Sequence, residues 1–444
     1  MVFVLDKHKK PLMPCSPKRA RLLLKRGRAV VHRVSPFIIR LKDRCVQESD
    51  LQPLVLKVDP GSKCTGMALA RVEHAGDGEV HHALHLAEIR HRGEQVHEAM
   101  GKRVRARRRR RSAHLRYRKP RFENRSRSQG WLPPCLRSRL SNVFSWASRY
   151  RQWAPMTRID VECVRFDMQL LQNPEIAGVH YQRGELVGWE VRAYVLVKYG
   201  YRCAYCGKTN VPFEIDHLLP KSRGGSDRVS NLVLSCHDCN VEKGNRTAAE
   251  WGHPEVEAQA KASLRDAAAV NATRHALMDE LRGLCVPLTS WSGGRTHWNR
   301  ARFGLPKTHA LDALCVGDLA GVDAASLSTL QISASGRGQY CRTLFSKHGF
   351  PRGYLMRQKQ VNGLQTGDLV LAVVPPPYKA QGTHKGRVAV RKSKFFRIAD
   401  VDSIPAQCCT VLQRGDGYNY AVVQAAGAVP RLSPNQGTPA SSPA

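Results

Sequence analysis

Hydrophobic positions along the chain change period several times, and each change marks an element. Residues 18–26 read as a helix, with Ser16 as N-cap, Pro17 as first helical residue and Gly27 as stop. Alternating or β-branched runs at 29–34 and 37–41 predict two strands parted by Ser35-Pro36. Residues 54–59, 67–72 and 80–89 predict a three-stranded antiparallel meander, turning at Pro60-Gly61 and at Gly76-Asp77-Gly78. From Gly93 to about Arg121, Val96, Met100 and Val104 recur every fourth residue and predict a helix. Leu136, Leu140, Val143, Phe144, Ala147 and Tyr150 share one helical stripe, which is a core face. A strand at 158–164 follows, then a helix near 185–198, a cysteine-rich insertion, a long Ala-rich helix over 255–284 and a further helix over 307–319. Beyond residue 330, runs at 368–374, 387–390 and 418–423 predict a small β domain, and the Pro- and Ser-rich stretch from 430 predicts a disordered tail.

Length and charge narrow the class. At roughly 150 residues per domain, a chain of 444 residues holds about three domains. Its 71 Lys and Arg against 36 Asp and Glu leave a net charge of +35, which points to a polyanionic partner. The excess is concentrated: residues 1–53 carry +9, 91–128 carry +12 and 331–444 carry +11. Between Gly101 and Phe122 stand twelve Lys or Arg and no acid. Lys102, Arg103, Arg105, Arg107, Arg108, Arg109, Arg110, Arg111, Arg116 and Arg118 surround the axis of the expected helix. Such a helix bridges two bodies or lies among phosphates; the alternative is a disordered basic arm. No apolar run reaches the ~18 residues of a membrane span, and Asp6, Lys7 and His8 interrupt the start too early for a secretory signal, so a cytoplasmic protein is expected.

Of the 14 cysteines, four are spaced as a set. Cys203-x2-Cys206 and Cys236-x2-Cys239 match two knuckles of a tetrahedral zinc site, with reduced thiols elsewhere. Between and after the knuckles stand Asp216-His217 at a strand end, Gly224-Gly225, Asn231 and Asn240. One reading is a purely structural zinc ribbon with these residues as turn formers. The other is the ββα-metal, or HNH, nuclease pattern, which the arrangement resembles. Phosphodiester hydrolysis needs a base to activate water and a cation for the developing charge. The resemblance implies His217 as base, Asp216 and Asn240 as ligands of one Mg2+, and Asn231 as the residue orienting the histidine.

Acids elsewhere extend the pattern. Asp59 ends a strand, Glu162 lies on a later one, and His309 and Asp312, three apart, share a face of a helix. Taken singly each reads as a turn or surface residue; together they resemble the RNase H-like arrangement, in which acids from separate elements hold two Mg2+. Val58-Asp59-Pro60-Gly61-Ser62-Lys63, then Val161-Glu162 with Phe166-Asp167, then Lys307 to Ala313, with the HNH pattern between the second and third, resemble the split RuvC nuclease of the IscB family. Pro11-Leu12-Met13-Pro14 matches that family's PLMP motif.

The resemblance implies an α+β multidomain chain: a PLMP domain at 1–53, RuvC parts at 54–90, 129–184 and 253–330, an Arg-rich bridge helix at 91–128, an HNH domain at 185–252, a C-terminal β domain at 331–429 that reads a target-adjacent motif, and a tail at 430–444. Asp59, Glu162, His309 and Asp312 would be the RuvC residues. The implied activity is an RNA-guided double-strand break, with HNH cutting the guide-paired strand and RuvC the displaced one. The implied partners are structural Zn2+, two Mg2+ in RuvC and one in HNH, one structured guide RNA per protein and double-stranded DNA, in a bacterial or archaeal cytoplasm at the nucleoid. A guide-independent HNH homing endonuclease, a junction resolvase using RuvC alone and a nuclease-dead nucleic-acid binder are the competing classes.

Overall fold

The computed structural model describes residues 1–75, 78–112, 131–163, 195–196, 198–225, 229–261, 265–324, 328–336, 343–346, 350–354, 356 and 358–423. Two compact units are distinguished: Met1–Glu162 with Leu277–Trp291 and Arg295–Ala444, and Cys163–Ala276 with Ser292–Gly294.

In the first unit, β1 (Val2–Leu5), β2 (Pro11–Cys15), β3 (Ala29–Arg33) and β4 (Ile38–Leu41) form a sheet in the order β2-β1-β4-β3, alongside helix α1 (Pro17–Lys25). Helix α1 is built as its sequence predicts: the Ser16 side chain accepts from the Arg19 N–H, and Gly27 at φ +70° follows its end. Both β1 and β2 were absent from the sequence expectation. All four residues of β1 are buried, so it shows no alternation, and the two prolines of β2 are tolerated because that strand is the sheet edge.

The meander is longer than its hydrophobic runs: β5 (Leu54–Pro60), β6 (Cys64–Ala75) and β7 (Gly78–Arg90) pair antiparallel. Helix α2 (Gly93–Ser112) follows, and α3 (Pro134–Trp153) buries Leu140, Val143, Ala147 and Tyr150 on the predicted stripe. Strand β8 (Met156–Glu162) returns parallel to β5. Arg116, Arg118, Phe166, Asp167, most of the helix expected near 185–198 and the tail lie outside the described residues.

In the second unit, β9 (Phe213–His217) and β10 (Leu232–Cys236) pair antiparallel and lead into α4 (His237–Lys243) and α5 (Pro254–Lys261). The single helix expected over 255–284 is instead α5 and α6 (Arg265–Arg282).

Back in the first unit come β11 (Leu288–Trp291), α7 (Gly293–Arg302), α8 (His309–Leu314), β12 (Gly321–Asp323) and β13 (Thr329–Ala334). Helix α8 is much shorter than the expected 307–319. Its C-terminal carbonyls are taken by side chains rather than by further helix: Lys57 Nζ donates to the Leu314 carbonyl and Asn299 Nδ2 to those of Cys315 and Gly317, each at 2.8 Å. Gly317 then turns the chain at φ +116°.

Hairpins β14 (Thr343–Phe345) with β15 (Pro351–Tyr354) and β16 (Gln360–Val361) with β17 (Leu364–Gln365) precede a five-stranded sheet. That sheet comprises β18 (Leu369–Val374), β19 (Gly382–Ala389), β20 (Phe395–Ile398), β21 (Val401–Pro405) and β22 (Cys409–Gln413), with its own core of Val370, Ala372, Val388, Phe396, Ile398 and Ile404. Strand β23 (Tyr418–Val423) corrects the sequence reading: it leaves the small β domain and pairs with β13. The main sheet is therefore eight-stranded and mixed, in the order β11-β8-β5-β6-β7-β13-β23, with β12 also on β7. Among the described residues no helix is long and apolar enough to cross a membrane.

Candidate active sites

Strands β5 and β8 run parallel with Val58 opposite Val161. Asp59 and Glu162, the next residue on each, therefore stand side by side at the carboxyl end of the sheet, where open sheets present their ligand sites. Helix α8 lies over β6 at Gly66, whose cross-strand partners are Asp59 on one side and Glu88 on the other. Only a residue without a side chain fits there, since a β-carbon at 66 would stand 1.7 Å from the His309 carbonyl oxygen.

Both ends of this six-residue helix are held by polar groups. The Thr308 hydroxyl accepts from the Leu311 N–H at 3.1 Å and Glu88 Oε1 from that of Ala310 at 3.3 Å, while Lys57 binds the far end. So clamped, α8 sets His309 Nδ1 3.5 Å from Asp59 Oδ2, and Asp312 Oδ1 receives Arg300 Nε at 2.8 Å. The four residues predicted for this centre are thus brought together.

Their electrostatics are those of crowded acids. Burial and then the Asp59 charge push Glu162 up to about 8, against a hydrogen bond from Thr296. Asp312 is pushed up to about 6 by burial and Asp59, with Arg300, Lys307 and His309 pulling the other way. His309 is raised chiefly by its hydrogen bond to Asp59. Like charges at one spot favour protonation unless a cation compensates, and three carboxylates with one imidazole suit a hard divalent ion. Thr296, Arg300, Glu88 and Lys57 were not anticipated from sequence, because each acts through a partner remote along the chain.

In the second unit, β9 carries Glu214 and Asp216 on one face, toward α4. Asp216 is buried; its Oδ2 accepts from the Tyr205 hydroxyl at 2.6 Å and its Oδ1 from Lys243 Nζ at 3.0 Å. Lys243 also donates to the His217 carbonyl at 2.8 Å, which fixes the end of β9. Glu214 joins Asn240 to this face: Asn240 Nδ2 donates to Glu214 Oε2 at 2.6 Å, and His237 Nδ1 lies 2.9 Å from Oε1. The alternation of Glu214 with Asp216 was legible in the sequence, but its role was not assigned. Asn231 staples the loop after His217, accepting from the Leu219 N–H at 2.8 Å and donating to its carbonyl at 3.0 Å. Asp216, Asn240 and Glu214 offer oxygen donors of the kind hard cations take.

The Sγ atoms of Cys203, Cys206, Cys236 and Cys239 all lie within 4.8 Å of one another. Cys206 and Cys236 are 3.7 Å apart, close to the ~3.8 Å edge of a tetrahedron with ~2.3 Å zinc–sulfur bonds and far beyond a disulfide. Burial disfavours the Cys203 thiolate, but N–H groups of Cys206, Cys236 and Tyr205 outweigh it and bring the thiol down to about 7. The cluster has the composition and spacing to hold zinc.

The insertion matches the HNH endonuclease family over residues 203–246. Residues 2–184 match the family described as RRXRR protein. The CRISPR-associated endonuclease Cas9 of Corynebacterium diphtheriae is 39% identical over 82 residues, which are 18% of this chain and 7% of that protein. The chain therefore spans a small part of that relative's length. Among solved structures, Thermus thermophilus RuvC is matched at 10% identity over 59% of this chain and 90% of its own, with a TM-score of 0.22. The Type II-C Cas9 from Actinomyces naeslundii is matched at 13% over 61% of this chain and 60% of its own, also at 0.22. Streptococcus thermophilus Cas9 is matched at 18% identity over 41% of this chain and 25% of its own, at 0.18.

Proposed function

We propose that this chain is an RNA-guided DNA endonuclease of the IscB kind, making a double-strand break with two independent centres. The single observation behind this is that, among the described residues, each of the two compact units holds an acid and histidine set suited to phosphodiester hydrolysis. A guide-independent HNH endonuclease has no use for the carboxylate corner, and a junction resolvase none for the HNH domain.

In the HNH domain, Asp216 and Asn240 would hold one Mg2+ and His217 would take the proton of the attacking water. Lys243, bound to Asp216 and to the His217 carbonyl, keeps the strand end from shifting, and Asn231 does the same for the loop behind it. In the RuvC-like centre, Asp59, Glu162 and Asp312 would hold two Mg2+, with His309 as a further ligand or base oriented by Asp59. Bound Mg2+ supplies stabilisation of the phosphorane charge and of the leaving oxygen. The four cysteines would hold a structural Zn2+.

Guide RNA would lie along α2 and the basic residues 1–53, one RNA per protein, with base pairing supplying the sequence specificity. The cations of α2 grip phosphate whatever the sequence, so that contact weakens steeply with salt. The C-terminal sheet would read a short target-adjacent motif, and HNH would cut the guide-paired strand and RuvC the displaced one. The site of action would be the nucleoid of a bacterial or archaeal cytoplasm.

The test is to express the gene with its flanking DNA, sequence the RNA that copurifies and follow each strand of a matched duplex. A discrete structured RNA is expected, with Asp59→Ala and His217→Ala each sparing a different strand. Random RNA fragments, with cutting insensitive to ribonuclease, would instead favour a guide-independent HNH endonuclease.

A further inference from the structure

Helix α7 has two faces with different tasks. Its inner face serves the carboxylate centre: the Thr296 hydroxyl bonds Glu162, Arg300 binds Asp312, and Asn299 holds the carbonyls beyond α8. Its outer face presents Arg295, Trp298 and Arg302, spaced three and four apart and so aligned along one stripe.

Trp298 is 47% exposed, although indole is among the costliest side chains to leave in water. The guanidinium carbons of Arg295 and Arg302 lie 4.9 and 4.5 Å from its ring centroid. Each arginine is anchored from behind, Arg295 by an ion pair with Asp318 and Arg302 by the carbonyls of Leu319 and Ala320 at 2.7 and 3.0 Å. A cation–π contact alone contributes little at an exposed site and does not require the indole to face solvent.

We propose that Arg295, Trp298 and Arg302 form a contact for single-stranded DNA that leads a strand into the carboxylate centre, a base resting on the indole and neighbouring phosphates on the two guanidiniums. Aromatic side chains flanked by cations are the usual elements of sequence-tolerant single-strand sites. The position gives the stripe its direction. It is on the same helix as Thr296 and Arg300, so it lies about one helix diameter, ~10 Å, from the acids. The proposal rests on the nuclease reading of that centre.

The test uses the full-length protein with its copurified RNA and a matched duplex carrying 2-aminopurine in the displaced strand beside the cut. In an Asp59→Ala background, which retains the strand, Trp298 should quench the probe and Trp298→Ala should abolish the quenching. In otherwise wild-type protein, Trp298→Ala should slow cutting of the displaced strand about 5- to 150-fold, the equivalent of ~1–3 kcal/mol of stacking. Trp298→Phe should recover most of that rate, and cutting by HNH should not change. Displaced-strand cutting within twofold of wild type, or a loss that Trp298→Phe shares together with a lowered melting temperature, overturns the proposal. The nuclease reading fails separately, if Asp59→Ala still cuts the displaced strand at the wild-type rate.

Discussion

Gly66 lies directly beneath His309, so close that a β-carbon at residue 66 would stand 1.7 Å from the His309 carbonyl oxygen. The obstructing atom is backbone and cannot rotate away, so α8 must lift. Gly66→Ala should destabilise the first unit by about 3 kcal/mol through overpacking. It should also separate His309 from Asp59 and so remove displaced-strand cutting while guide-paired-strand cutting survives. Melting curves and strand-resolved cleavage check this; intact displaced-strand cutting would show that α8 need not sit where it does.

The high pKa of Glu162 makes stability depend on pH. Folded, this acid keeps its proton up to about 8, whereas its ordinary value is 4.5. Between those values the folded state binds more protons than the unfolded, so this contribution is full below pH 4.5 and is lost as pH rises through about 8. With EDTA present, the melting temperature should fall from about pH 5 to 8 more steeply for wild type than for Glu162→Gln, which mimics the protonated acid. Mg2+ at the upper pH should restore wild type and not the variant. Parallel pH profiles for the two proteins would contradict the assigned environment.

Zinc should hold the second unit together independently of the first. Cys206→Ser, or a strong zinc chelator, should release the metal, expose 203–246 to protease and end HNH cutting, leaving displaced-strand cutting in place. Native mass spectrometry and limited proteolysis read this directly. A metal-free protein with an undiminished HNH activity would rule out a structural zinc.

Glu214 fixes the orientation of the Asn240 amide, because it takes the Nδ2 end at 2.6 Å. Glu214→Ala should free the amide to rotate and lower divalent-ion affinity about 10- to 100-fold, as loss of an outer partner does. Glu214→Gln keeps an acceptor oxygen and should retain most of it. Mn2+ binding by the Asp59→Ala protein isolates this site, and equal affinities for all three residues at 214 would dismiss the role.

Much of the machinery was legible from the chain alone. The meander of β5, β6 and β7, the core stripe of α3 and the N-cap of α1 follow from period, burial and capping chemistry within a few residues of each other. The cysteine pairs stood out by their spacing, whereas Asp59, Glu162, Asp216 and Asp312 became candidates only together, through the resemblance of their surrounding motifs to a known family.

The sequence by itself thus marked candidate residues and the kinds of element they ride on, since spacing and hydrophobic period are local. The tertiary structure decided what they meet. Lys57 and Leu314 are 257 positions apart and Glu88 and Ala310 222 apart, yet these contacts stop α8 after six residues and set its angle over the acids. The pairing of β23 with β13 in the main sheet is of the same kind. A local hydrophobic pattern states that a strand will bury a face but not which sheet edge it will find; that choice is made only when remote backbone donors and acceptors are satisfied together.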